Sequence, residues 1–92
     1  MEPPHHARLL PWSGPEGKPC YLIGDGDGPV SRTADAMESV QLGMGAELLA
    51  YSREMLATTQ PPPHELRFLV QHLTEALHNA LRVAESRGDR LN

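Results

Sequence analysis

The fold turns on residues 34–87, which read ADAMESVQLGMGAELLAYSREMLA (34–57), TTQPPP (58–63) and HELRFLVQHLTEALHNALRVAESR (64–87). In the first string Met37, Val40, Met44, Leu48, Tyr51 and Met55 recur at steps of three and four, which is one face of a helix. Leu42, Leu49 and Leu56 form a second column at intervals of seven, with Ala36, Gly43, Ala50 and Ala57 as a small-residue column beside it. A large column next to a small one permits close approach by another helix. Ser31 and Thr33 both qualify as N-caps, since either hydroxyl can accept from an unpaired first-turn N–H. Asp35 and Glu38 suit the positive end of the helix dipole. The spacing therefore predicts a helix over about 33–57.

Gly43 and Gly45 interrupt that reading, each costing about 1 kcal/mol relative to alanine in a helix interior. Either the helix bends there, or the missing side chains admit a partner backbone. Gly43 favours the second account because it lies on the small column; Gly45 does not lie on it. Pro61, Pro62 and Pro63 cannot continue the first helix, since proline lacks the N–H and clashes with the preceding turn, but they can open the next one. The second helix is expected over about 64–87, with Glu65 in its first turn. Its stripe is Leu66, Leu69, Val70, Leu73, Leu77, Ala80, Leu81 and Ala84, flanked by Phe68. Glu75 and Arg82 fall off the stripe and are expected in solvent, and Gly88 is placed to end the helix. The short connection requires an antiparallel αα-hairpin.

Upstream, residues 1–7 read as a flexible tail. Pro11 limits Arg8–Trp12 to an edge strand or extended segment, and Ser13–Pro19 is dense in turn formers. Cys20–Ile23 is the best strand in the chain. Asp25-Gly26-Asp27-Gly28 reads as a tight turn, after which Pro29–Arg32 would return as a second strand. The expected fold is α+β: a β-hairpin within about 8–32, then the αα-hairpin, together one small domain over 8–92.

Each predicted apolar face is too wide for two helices and a hairpin to cover. A 92-residue chain with a single cysteine has no intrachain disulfide to compensate for a small core. A symmetric dimer forming a four-helix arrangement would cover both faces. The surface expected to take part is Gly43, Met44, Leu42, Leu49, Leu56, Tyr51, Leu66, Leu73 and Leu77. Trp12 follows a proline at an edge and is a candidate for a partner surface.

The formal net charge of −4 argues against a nucleic-acid-binding domain acting alone, which carries a basic stripe. Arg67, Arg82, Arg87 and Arg90 would have to serve that role, but acidic residues interleave them. One thiol, no basic-apolar leader at Met1–His6 and no long apolar run lead to the expectation of a cytoplasmic chain with no membrane span.

Motifs for catalysis or cofactor binding are weak. A calcium loop begun at Asp25 would need a glutamate where Ala36 stands. His64, His72 and His78 are not spaced three or four apart, and His64-Glu65 has Phe68 where a zinc-protease motif needs histidine. Gly24-x-Gly26-x-Gly28 lacks the dinucleotide-loop spacing. Ser13, Ser31 and Ser39 have no nucleophile-elbow context. Cys20, inside an apolar strand, reads as a buried small hydrophobe more than as a nucleophile. No enzyme activity and no cofactor are expected.

Several strings together resemble a known family: Leu9-Leu10-Pro11-Trp12, Gly17-Lys18-Pro19-Cys20-Tyr21-Leu22, Gln41-Leu42-Gly43-Met44-Gly45, Leu66-Arg67-Phe68-Leu69, Glu75-Ala76-Leu77, and Leu81 through Gly88. They are similar to the small acidic BldB / AbaA-like regulatory proteins of Streptomyces and related actinobacteria. The resemblance implies a homodimeric, non-enzymatic regulator of development or secondary metabolism that works with helix-turn-helix transcription regulators. It brings no catalytic residues. The alternatives are a direct DNA-binding dimer and a small-molecule or redox sensor using Cys20.

Overall fold

The computed structural model describes residues 7–24 and 28–91, with side chains through Gly88. Residues 1–6 of the expected tail and the Asp25–Asp27 part of the expected turn lie outside the described residues, as does the Arg90 side chain, while Ala7, the last residue of that expected tail, opens a strand. The order is strand β1 (Ala7–Ser13), a short 3-10 turn (Pro15–Gly17), strand β2 (Pro19–Ile23), helix α1 (Pro29–Ala57) and helix α2 (Pro63–Leu91). The architecture is α+β: a two-stranded antiparallel hairpin followed by two helices packed on each other.

The hairpin uses different partners from those expected. β1 pairs with β2, Ala7 opposite Ile23 and Leu9 opposite Tyr21, so the turn is the 14–18 segment. There Gly14 N–H donates to the Lys18 carbonyl at 2.7 Å, and Glu16 and Gly17 adopt positive φ of 59° and 75°. The register is irregular between Leu9 and Ser13. Pro11 lies inside that interval and has no N–H for the ladder, so pairing must break around it.

The expected return strand at Pro29–Arg32 is instead the first turn of α1. Gly28, in extended conformation, is the N-cap and makes no side-chain cap bond; Pro29 stands in the first turn and the Gly28 carbonyl accepts from Arg32 N–H at 3.1 Å. Proline's fixed φ suits a first helical position and outweighs the weak strand preference of Val30 and the capping potential of Ser31 and Thr33. The second helix likewise overruns its expected stop, since Gly88 is helical and α2 continues to Leu91. A glycine weakens a helix by about 1 kcal/mol but does not end one when the following residues stay helical. Gly43 and Gly45 do not break α1 either.

The connection is as short as the prolines suggest. Thr58 N–H donates to the Met55 carbonyl, Gln60 takes a φ of 57°, and the Pro62 carbonyl accepts from Glu65 and Leu66 N–H to start α2. The helices run antiparallel: Glu38 near the start of α1 meets Arg87 near the end of α2, while Leu48 and Tyr51 share a hollow with His72.

Most of the core sits at the hairpin end. β1 is buried over Arg8, Leu9, Leu10 and Pro11 without alternation, paired along its edge with β2 and packed against α2 and α1. The described apolar core is Leu9, Leu10, Ala34, Met55, Leu69 and Val83. Trp12 is half-buried, and Cys20 is also half-buried because β2 alternates with one face outward.

Candidate interaction surface

The inner face of α1 differs from the face its large residues outline. Buried or half-buried positions are Ser31, Ala34, Glu38, Gln41, Gly45, Leu48, Ser52 and Met55, again at steps of three and four. On α2 the inward residues include Leu69, Leu73, Ala76, Ala80, Val83 and Ser86. The seam between the helices is thus rich in small and polar side chains. Of the stripe Met37–Met55, only Leu48 and Met55 turn inward; Met37, Val40, Met44 and Tyr51 are exposed. Of the expected α2 stripe, Leu66, Val70, Leu77 and Leu81 are exposed.

A polar cluster at the hairpin end explains this choice. Arg8, on β1, donates to the Ser31 Oγ at 2.7 Å and to the Ser31 carbonyl at 3.1 Å, and to Asp35 Oδ1 at 2.6 Å. Its guanidinium also lies 3.3 Å from the Glu38 carboxylate, whose other oxygen is 3.8 Å from Arg87. Glu38 is 1% exposed, as are Ser31 and Ser86. A buried carboxylate needs an opposite charge within reach. Arg8 supplies it, and its hydrogen bonds to Ser31 and Asp35 together with this ion pair set which side of α1 faces β1.

A second group of bonds starts at the irregularity in β1. The Pro11 carbonyl accepts from Gln41 Nε2 at 3.0 Å and from Arg82 at 2.8 Å, so one strand carbonyl ties α1 and α2 together. Arg82 further approaches Ser13 Oγ at 3.4 Å and His78 Nε2 at 2.7 Å. The expectation that Arg82 stands in solvent is therefore corrected: it is half-buried and anchors the hairpin. Glu75 is exposed. Neither Arg8 nor Glu38 stood out by hydropathy; the available signal was Glu38 falling on the same three-and-four spacing as Ala34, Gly45 and Leu48.

The predicted surface residues divide clearly. Gly43, Met44, Leu42, Leu49, Leu56, Tyr51, Leu66 and Leu77 are all exposed, and Leu73 is half-buried in the seam. Exposure reaches 84% at Leu56, 61% at Leu77 and 58% at Met44. A Cβ built on Gly43 or Gly45 meets nothing within 4 Å among the described residues, so no described neighbouring element crowds either glycine. Gly45, without a place on the small column, lies half-buried on the helix seam.

The exposed residues fall on two sides of the αα-hairpin. Met44 and Tyr51 border His72, and Met44 also shares a hollow with Glu75 and Asn79. Met37 and Val40 continue that side along α1, and the Phe68 ring lies 4.2 Å from that of His72, tilted by 50°. At about 100° per residue, Leu42, Leu49 and Leu56 stand on the opposite flank of α1. Leu66, Val70 and Leu77 stand on the corresponding flank of α2. One side is thus methionine-rich and bordered by Glu47 and Glu75, and the other is dominated by leucine.

Comparison with protein-family models, curated proteins and solved structures yields no match. Among the described residues no group of three His, Cys, Asp or Glu side chains is arranged to hold a metal ion. No described helix is long and apolar enough to cross a membrane.

Proposed function

We infer that this chain is a non-enzymatic interaction protein, a homodimer that docks onto a helix-turn-helix transcription regulator and alters its hold on DNA in developmental or secondary-metabolite control. The observation that carries the reading is the outward placement of the largest apolar side chains on both long helices, Leu49, Leu56, Leu77 and Met44 among them. Large apolar side chains grouped in the open on a helix flank, as on each side of this αα-hairpin, mark interaction sites. The net charge of −4 favours a basic protein partner over a phosphate backbone. The resemblance to the BldB / AbaA-like regulators supplies the class of partner.

The test is affinity purification of the tagged full chain from its source organism, followed by reconstitution with any helix-turn-helix regulator recovered. A stoichiometric complex of the two pure proteins, whose DNA retardation differs from that of the regulator alone, is expected. Recovery of no such regulator, or retardation of DNA at low salt by this chain alone, overturns the reading. Cys20→Ser is expected to leave complex formation unchanged; its loss would point to a redox sensor.

A further inference from the structure

We propose that the trough on the methionine side of the αα-hairpin seats one basic amphipathic helix of a partner protein, with apolar side chains between Met44 and His72 and lysines or arginines against Glu47 and Glu75. This rests on the interaction-protein reading and names the surface and the partner chemistry within it.

The shape suits a helix. Two adjoining hollows follow the line between α1 and α2: Met44, Glu47, Leu48, Tyr51 and His72 border one, and Gln41, Met44, Leu48, Glu75 and Asn79 border the other. The furrow between two antiparallel helices is a surface into which a third can pack. From Gln41 to Tyr51 it runs about 15 Å along α1, room for about three turns of a partner helix. At Gln41 it meets the hairpin, where the Pro11 carbonyl accepts from the Gln41 amide at 3.0 Å, so β1 stops one end. The lining is a thioether and flat rings: Met44 and Tyr51 from α1, with His72 and the neighbouring Phe68 from α2. Methionine adapts to the shape of an inserted side chain, and the faces of tyrosine and phenylalanine attract a cation.

Charge selects the occupant. Each helix sets a carboxylate on the trough, Glu47 on α1 and Glu75 on α2, and neither is ion-paired among the described residues. Glu54 follows Glu47 two turns on, along the same flank. Among the described residues no lysine or arginine lines either hollow; Arg82, one turn beyond Asn79, is turned to the Pro11 carbonyl at 2.8 Å. The leucine flank lacks this bias, because Arg53 stands there and Asp35 is paired with Arg8. A two-fold dimer through the trough would set these carboxylates against their own copies, whereas a basic helix neutralises both lips.

The test uses a fluorescein-labelled synthetic amphipathic peptide of leucine and lysine, about 14 residues long, titrated with the full chain and read by anisotropy. Saturable binding is expected, with NMR shifts at the Met44 methyl and the Tyr51, Phe68 and His72 rings and none at the Leu49 and Leu77 methyls. Glu47→Lys with Glu75→Lys should raise Kd at least about tenfold, as should Met44→Gln with Tyr51→Gln. Leu49→Gln with Leu77→Gln should leave it within about twofold. The same peptide with glutamate for lysine should bind at least about tenfold more weakly. The trough residues changed are all exposed, and the wild-type shift map needs no variant. Absence of binding, shifts on the leucine side, or a Kd indifferent to charge reversal overturns the assignment. Equal binding of a serine–lysine peptide also overturns it, since the site would then be a bare acidic patch. Concentration-dependent shifts of the same rings in the chain alone would give the trough to a second copy and overturn it too. Each of these leaves the interaction-protein reading standing, which fails only with the affinity purification above.

Discussion

The two ends of the molecule are held by different means. At the hairpin end, β1 pairs with β2 and packs on α1 and α2, and Arg8 ties the strand to Ser31 and Asp35 with hydrogen bonds of 2.6 to 3.1 Å and forms an ion pair with Glu38 at 3.3 Å. Beyond Gln41 on α1 and Asn79 on α2, only one helix packs on the other, and the buried contacts reduce to side chains such as Met55, Leu69 and the Ser52 hydroxyl bonded to the Leu48 carbonyl at 2.6 Å. The first end is a β-hairpin packed through β1 on two helices around buried polar groups; the second is two helices with most large apolar residues outside. A region that buries little has little resistance to local opening. The contrast shows where the chain is complete in itself and where it depends on another surface.

The largest effect expected from breaking the hairpin end comes from Arg8→Met. It removes the guanidinium that lies 3.3 Å from the buried Glu38 carboxylate, and loss of one member of a buried pair costs about 3–5 kcal/mol. Urea unfolding should show this as a lower midpoint, and the double change Arg8→Met, Glu38→Met should recover most of it. An Arg8→Met protein as stable as wild type would mean that the polar cluster does not hold β1. In the two-helix region, Leu69→Ala removes a side chain only 6% exposed and should cost about 2–5 kcal/mol. The lower end of that range is expected, because a thin seam can collapse around the gap.

Smaller changes sharpen the comparison. Arg82→Ala removes the bond to the Pro11 carbonyl and should cost about 1.5 kcal/mol, the low end for hydrogen bonds to charged groups, because Arg82 is half-buried. Amide exchange in β1 should rise with it, while exchange in residues 48–70 should not. Gly45→Ala meets no steric obstacle and should stabilise the chain by roughly 0.5–1 kcal/mol, read as a higher melting temperature. A loss of stability there would show that another surface sits against Gly45. Leu56→Ser should change monomer stability by less than about 0.5 kcal/mol, since Leu56 is 84% exposed.

Much of this architecture was legible from local chemistry. Two long helices, a proline-limited connection and an antiparallel return all follow from three-and-four spacing and from proline's missing N–H. Pro11 read as limiting Arg8–Trp12 to an edge strand or extended segment, and that stretch is strand β1 of a two-stranded hairpin whose register is irregular around the proline. Other errors were local as well: Val30 and Ser31 read as strand and cap, and only the placement of Pro29 in a first helical turn settled that segment. Gly88 read as a stop because the sequence beyond it offered no competing signal.

Which face of each helix turns inward was a tertiary decision. Apolar and small residues together cover more than half the circumference of α1, so periodicity alone could not select the third of it that meets α2. Hydropathy pointed to Met37, Val40, Met44 and Tyr51. The fold instead turned in Ser31, Ala34, Glu38 and Gly45, because Arg8 and the Pro11 carbonyl, far away in sequence, bind polar groups on that face and small side chains leave room for a neighbouring helix. Length, charge, helix content and the connection are properties of neighbouring residues and follow from them. The inward face is a property of contacts between residues 8 and 38, or 11 and 82, and exists only once the chain has folded.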